Sequence, residues 1–151
     1  MKSLLPIVIR EKTDDDNNFI YSSWTKNLYS APPYSFIPWS LFCKNQIDLI
    51  NHLFSISTTL IACLEEDPSI LLGYLTYSKF KNQIIIHYGN VKQTYRKNYI
   101  MDDLLSSIEP NWRKHLLVLT AFSKTYPYLK EKFSLTYDPY IINLLGEMHE
   151  Q

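Results

Sequence analysis

Residues 84–108, IIIHYGNVKQTYRKNYIMDDLLSSI, constrain the fold of this chain more than any other stretch. The apolar run over 84–91 predicts a strand, and a basic turn follows over 92–98. Ile100, Met101, Leu104, Leu105 and Ile108 then recur on one helical face, which predicts a helix starting near Arg96 or Lys97. A strand that passes through a cationic turn into a helix start is suited to anions. The first backbone N–H groups of a helix have no internal acceptor, and the helix dipole points the same way. Glycine is scarce, with only Gly73, Gly89 and Gly146 present. No glycine-rich phosphate loop is therefore available between residues 90 and 145.

The flanking sequence supplies the partners for that unit. PIVIR at 6–10 predicts a first strand. The acidic run Asp14, Asp15 and Asp16 suits the start of a helix carrying Phe19, Ile20 and Trp24, and its spacing does not match a calcium-binding loop. The Pro- and aromatic-rich stretch 29–38 excludes a regular helix, and Ile47, Ile50 and Phe54 predict one over 41–54. Residues 58–64 and 69–77 predict strands joined by the turn Glu65-Glu66-Asp67-Pro68, and a second turn over 80–83 leads into the strand at Ile84. Three such strands in succession predict an antiparallel meander. HLLVLT at 115–120 predicts a fifth strand, and residues 122–133 a helix whose first turn carries Pro127. A last strand is predicted over 133–137, and 141–145 reads as a short helix or strand. The order β-α-α-β-β-β-α-β-α-β predicts a single α/β domain with a mixed, mostly antiparallel sheet flanked by helices.

Length and composition agree with one domain. A chain of 151 residues with 46% hydrophobic and 20% charged residues can build one core. Fifteen basic and fifteen acidic side chains cancel, which argues against general nucleic-acid binding and leaves a site-sized basic patch at Lys92, Arg96 and Lys97. Cys43 and Cys63 make no disulfide framework or metal-ligand spacing, and their apolar surroundings predict buried free thiols. No run approaches the roughly 20 apolar residues of a membrane span, and no secretory signal is read at the N-terminus, so a cytoplasmic location is expected.

The element order and the strand–turn–helix unit resemble the GNAT-type N-acetyltransferases. Val91-Lys92-Gln93-Thr94-Tyr95-Arg96 resembles the family's entry into its pyrophosphate loop, and Leu104 and Leu105 fall where its helix carries paired leucines. Small GNAT-like proteins of phage and prophage genomes are similar in three further places. These are Val8-Ile9-Arg10, then Asp16, Phe19-Ile20 and Ser23-Trp24, and finally Tyr137-Asp138-Pro139-Tyr140. The resemblance implies a GNAT-like domain over 1–151. It also implies acetyl-coenzyme A held by Asn90 and Val91 at the strand end, by Arg96, Lys97 and Asn98 in the turn, and by Tyr99, Ile100 and Met101 at the helix start. It makes Tyr137 and Tyr140 the candidate general acids toward the departing thiolate. No metal is implied. The location becomes host cytoplasm, or a virion, if the chain is phage-encoded.

Two departures from the family pattern matter. The motif Arg/Gln-x-x-Gly-x-Gly/Ala begins at Arg96, yet Tyr99 and Met101 stand at its small-residue positions, where glycine lets backbone approach phosphate. The Thr-His pair that often follows the fifth strand is Thr120-Ala121 here. Other candidates have bland readings. His87 reads as a packed strand histidine, Glu65, Glu66 and Asp67 as a solvated turn, and Asp102 and Asp103 as a favourable helix first turn. His52, His115 and His149 show no ligand spacing. Two functions are expected from this pattern. One is N-acetyl transfer to an unidentified amine. The other is a GNAT-fold phage protein with lost or weakened catalysis that serves as a binding or structural module, in the virion or toward the host, with the aromatic 29–39 loop and the tyrosine-rich surface as contact candidates.

Overall fold

In a computed structural model, which describes residues 2–121 and 126–150, six strands form one sheet in the order β1-β2-β3-β4-β5-β6. The strands are β1 Ile7–Glu11, β2 Thr58–Leu64, β3 Leu71–Phe80, β4 Gln83–Val91, β5 Leu116–Leu119 and β6 Leu135–Tyr137. The helices are α1 Asn17–Tyr29, α2 Trp39–Ile56, α3 Ile100–Ile108, α4 Tyr126–Lys132 and α5 Ile141–Glu150. β1 to β4 pair antiparallel, whereas β4–β5 and β5–β6 are parallel, so the sheet is mixed as expected.

The alternation of apolar residues along the strands divides the core between the two faces. One face carries Leu72, Leu75 and Ile84 against Ile100, Leu104 and Leu105 of α3. The other carries Ile61 and Tyr74 against Ile20 and Trp24 of α1 and Ile50 of α2. Leu145 of α5 closes a smaller cluster with Ile85 and Val118.

Local chemistry accounts for the element ends. At the start of α1, Arg10 makes two bonds to the Asp16 carboxylate, at 2.8 and 3.0 Å, and Thr13 N–H donates to the same carboxylate at 2.8 Å. These bonds, led by the one from Arg10, hold the Asp16 carboxyl below its ordinary pKa. The acidic run itself forms a 3-10 turn, and α1 begins only at Asn17. Between β2 and β3, Asp67 Oδ1 accepts from the Ser69 N–H and hydroxyl at 3.1 and 2.6 Å, a side-chain-closed turn.

Several expected boundaries move. The helix expected near Arg96 or Lys97 starts at Ile100, because Lys97 and Tyr99 hold φ of 69° and 61°, which a right-handed helix cannot include. The fifth strand begins at Leu116, after a 3-10 turn over Trp112–Lys114 whose carbonyl from Trp112 accepts the His115 N–H. Phe133 donates its N–H to Leu129 O, so it completes the α4 turn and the last strand begins at Leu135. The first residues of the helix expected over 122–133 lie outside the described residues. The segment at 141–145 is helical and extends to Glu150, adding α5 to the expected order. Cys63 is buried, but Cys43 is only half-buried. Among the described residues no helix is long and apolar enough to cross a membrane.

Candidate functional site

The site begins with a strand that has partners on both edges for only half its length. β4 pairs β3 along Gln83–Val91, but it pairs β5 only from Gln83 to Ile86. The last bond on the β5 side joins Thr120 N–H to Ile86 O at 3.1 Å. Beyond it β4 and β5 diverge. Lys92 N–H donates to Leu72 O on the β3 side at 2.8 Å, so the alternation of strand backbone points the N–H and C=O of Val91, and of Gly89 before it, toward the open edge. The register with β3 shifts at this point, opposing Tyr77 to Ile86 and Thr76 to Tyr88 and leaving His87 as the extra residue.

A cleft of about 720 Å³ lies along that edge. Tyr88–Val91 form one wall, Asn27 to Ala31 at the end of α1 a second, and Arg96, Lys97, Tyr99, Ile100 and Met101 a third. The first α3 bond runs from Asp103 N–H to Tyr99 O, so the N–H groups of Ile100, Met101 and Asp102 precede the helical ladder. Of the residues expected to hold a cofactor, Asn90, Val91, Arg96, Lys97, Tyr99, Ile100 and Met101 are brought together on this cleft. Asn98 is not among its walls. Its carbonyl accepts Leu4 N–H at 3.0 Å and its side chain donates to Tyr95 O at 2.9 Å, which braces the turn from behind.

Charge in the cleft is set by a division of partners. Arg96 does not bond the acidic pair of α3. Its Nε donates to Val91 O at 2.9 Å and its Nη2 to Asn90 Oδ1 at 3.4 Å. Asp102 is matched by Arg113 at 3.1 Å, and Asp103 accepts Ser3 N–H at 3.0 Å. The two carboxylates are thus engaged by groups other than Arg96 and Lys97, although Asp102 lines the cleft beside these two cations. Met101 lies over the face of β4 beside the open edge: a Cβ placed on Gly89 would meet Met101 Cε at 2.9 Å. Gly89 is the residue that lets this side chain settle there.

Tyr88, on the cleft wall, carries no signal of its role in the sequence. Tyr88 stacks on Trp24, with ring centroids 4.7 Å apart and planes 14° from parallel, and its hydroxyl bonds the Asn27 side chain. Burial pushes its pKa up to about 12, with the Arg96 charge and the Asn27 bond pulling the other way. The phenol therefore stays protonated across the neutral range. His87, next to it but not lining this cleft, is packed in the strand as its sequence reading expects, with Nε2 3.0 Å from Ser78 Oγ and Nδ1 3.0 Å from Thr120 Oγ1. Burial lowers its pKa to about 4, which leaves a neutral, fully bonded imidazole. Tyr137 and Tyr140 lie elsewhere. They are 37% and 78% exposed near the end of β6, and neither lines the cleft. Glu65, Glu66 and Asp67 sit in the exposed β2–β3 turn. Among the described residues no three His, Cys, Asp or Glu side chains gather as a metal site.

No known protein family matches the sequence, and no curated protein matches it. Solved structures do match the fold. A candidate acetyl transferase from Pyrococcus furiosus is similar at TM-score 0.63 and 17% identity, over 83% of this chain and 91% of the other. The PaiA N-acetyltransferase from Thermoplasma acidophilum, in complex with coenzyme A, is similar at TM-score 0.52 and 17% identity, over 73% and 74%. A GNAT family acetyltransferase from Brucella melitensis, in complex with acetyl-CoA, is similar at TM-score 0.50 and 15% identity, over 82% and 80%. At these identities the likeness establishes architecture. The chain has the fold of the GNAT acetyltransferases.

Proposed function

We propose that this protein is an N-acetyltransferase that moves the acetyl group of acetyl-coenzyme A to an amine. The observation that carries the reading is the open edge of β4 at Gly89 and Val91, facing a cleft whose mouth holds Arg96, Lys97 and the first N–H groups of α3. An extended amide-containing chain can bond such an edge as another strand would, and a pyrophosphate suits cations beside a helix start. The donor set fits coenzyme A in both respects. Arg96 and Lys97 would hold its phosphates, and the Gly89 and Val91 edge would hold its pantetheine arm. Its thioester supplies an activated carbonyl.

In the transfer, the amine nitrogen forms the C–N bond, the C–S bond breaks, and the proton lost by nitrogen balances the one gained by sulfur. The chain's own part is chiefly to hold the two reactants in the cleft, where positioning supplies much of the rate. Tyr88 adds a hydrogen-bond donor on the wall. With its pKa at about 12, against about 8.5 for an ordinary thiol, it does not give up its proton to the thiolate. It donates a hydrogen bond to charge developing on oxygen or sulfur and keeps its proton. Water in the open cleft accepts the proton of the amine. Tyr137 and Tyr140 receive no part in this scheme because neither lines the cleft.

A second reading, a GNAT-fold phage protein without catalysis, is favoured by one observation. Met101 fills the space over Gly89, beside the edge that the pantetheine arm would use. Amine-dependent release of free thiol from acetyl-coenzyme A, followed across primary amines and peptide N-termini, separates the two. Turnover with any acceptor supports transfer. Binding of acetyl-coenzyme A without turnover across the whole panel supports the second reading.

A further inference from the structure

Behind the cleft lies a second cavity, of about 320 Å³, between the β4–β5 divergence and helices α3 and α4. The two spaces share walls at Tyr88, Gly89, Met101, Asp102 and Leu129, so the inner one continues the outer one into the core. Its deeper walls are apolar, formed by Leu105, Trp112, Leu117, Phe133 and Leu135. Among the described residues, the titratable side chains that reach it have bonded partners. Both ring nitrogens of His87 are bonded to Ser78 and Thr120, the Asp102 carboxylate is paired with Arg113, and the Tyr88 hydroxyl is bonded to Asn27. Among the described residues its deep end is lined by apolar side chains, and the Tyr88 hydroxyl and Gly89 backbone stand at the mouth it shares with the cleft, so the deep end suits an apolar occupant.

We infer that this cavity takes the acyl chain of the donor thioester, and that the preferred donor carries butyryl to octanoyl chains over acetyl. The inference rests on the acetyl-transfer reading of the cleft, since that reading puts the thioester beside the open edge of β4. The cavity opens from that edge through walls shared with the cleft, and its deeper lining among the described residues is apolar. A water molecule occupies about 30 Å³ in the liquid and a methylene is of similar size, so the cavity has room for several carbons. Met101 is the movable element. As a flexible, unbranched side chain lying on Gly89, it can swing aside for a chain that an acetyl group would not need to displace.

The test is equilibrium binding of coenzyme A and of its acetyl, butyryl and hexanoyl thioesters to the whole protein, by calorimetry at low salt. Each buried methylene adds hydrophobic transfer free energy equivalent to about a fourfold gain in affinity, so hexanoyl-coenzyme A is expected to bind at least 100-fold more tightly than acetyl-coenzyme A. Leu105→Phe and Leu135→Phe, which fill the cavity from α3 and from β6 and do not line the cleft, are expected to shrink that gain at least tenfold while leaving the affinity for coenzyme A itself within twofold. If coenzyme A and acetyl-coenzyme A bind but the longer thioesters bind no tighter, the acyl pocket is refuted and the cleft reading stands. If none of the four binds, both are refuted. Free hexanoate binding as tightly as hexanoyl-coenzyme A would also refute the inference, because the cavity would then be independent of the cleft.

Discussion

Arg96 Nε donates to the carbonyl oxygen of Val91 at 2.9 Å, on the edge where β4 has lost its partner strand. The same side chain is therefore both the principal cation of the cleft mouth and a cover on one acceptor of the open edge. These two roles predict opposite results for its removal. As an anion anchor, Arg96→Ala weakens acetyl-coenzyme A binding by about 1.5–3 kcal/mol, the range for a hydrogen bond to a charged group, and the loss is smaller at high salt. As a cover alone, its removal strengthens binding. The anchor role is the expected outcome, measured by calorimetry at two salt concentrations.

Tyr99 occupies a left-handed conformation, φ 61° and ψ 25°, immediately before α3. A non-glycine residue there costs about 1–2 kcal/mol. Because Tyr99 is a half-exposed cap residue and not a helix-interior one, Tyr99→Gly is expected to raise stability by about 1 kcal/mol without weakening coenzyme A binding. The denaturant midpoint checks it. A lower midpoint shows that packing of the ring outweighs the backbone term.

Tyr88→Phe removes the hydrogen-bond donor on the cleft wall while keeping the ring stacked on Trp24. The expected loss is roughly 100-fold in kcat, the lower end for removal of one donor to developing charge, with coenzyme A affinity little changed. Tyr137→Phe and Tyr140→Phe are expected to leave kcat within about twofold, because neither side chain lines the cleft. Kinetics of the three variants with one acceptor would reverse these assignments if Tyr137 or Tyr140 proved the costly position.

Buried His87 makes stability depend on pH in a window separate from that of Asp16. The folded pKa of His87 is lowered to about 4 from an ordinary 6.5, so below about pH 6.5 the unfolded chain binds a proton that the folded chain does not. Stability therefore falls as pH drops from about 6.5 to 4, by up to about 3 kcal/mol. Asp16, whose folded pKa lies below its ordinary value, contributes stability that is present above about pH 4 and lost only as pH falls further. Denaturation of His87→Gln is expected to show a flatter pH profile between 6.5 and 4 and an unchanged decline below 4. An unchanged upper window would show that His87 is not the group responsible.

How much of this was legible in the sequence depends on how local each cause is. β2 falls on the expected residues 58–64 and β4 begins one residue before Ile84, because alternation and turn residues are written in adjacent positions. The start of α3 was misplaced because the helical face begins at Ile100, while positive φ at Lys97 and Tyr99 is imposed on residues that carry no sequence sign of it. Tyr88 and Asn27 were missed because their meeting requires α1 to lie across β4, and the extra residue at His87 shifts the register that places Tyr88. The sequence at 141–145 suits a helix or a strand equally, because the burial of α5 depends on Ile85 and Val118, far away in the chain. The seven cleft residues that were legible sit within one strand–turn–helix unit, where sequence order and spatial order coincide.

The central claim is that the open edge of β4 and the cationic start of α3 form a coenzyme A site. Calorimetric titration of the unmodified protein with acetyl-coenzyme A at low salt tests it most directly. The account predicts saturable one-to-one binding that weakens as salt is raised, since the phosphate contacts are exposed. Absence of saturable binding at low salt would contradict it.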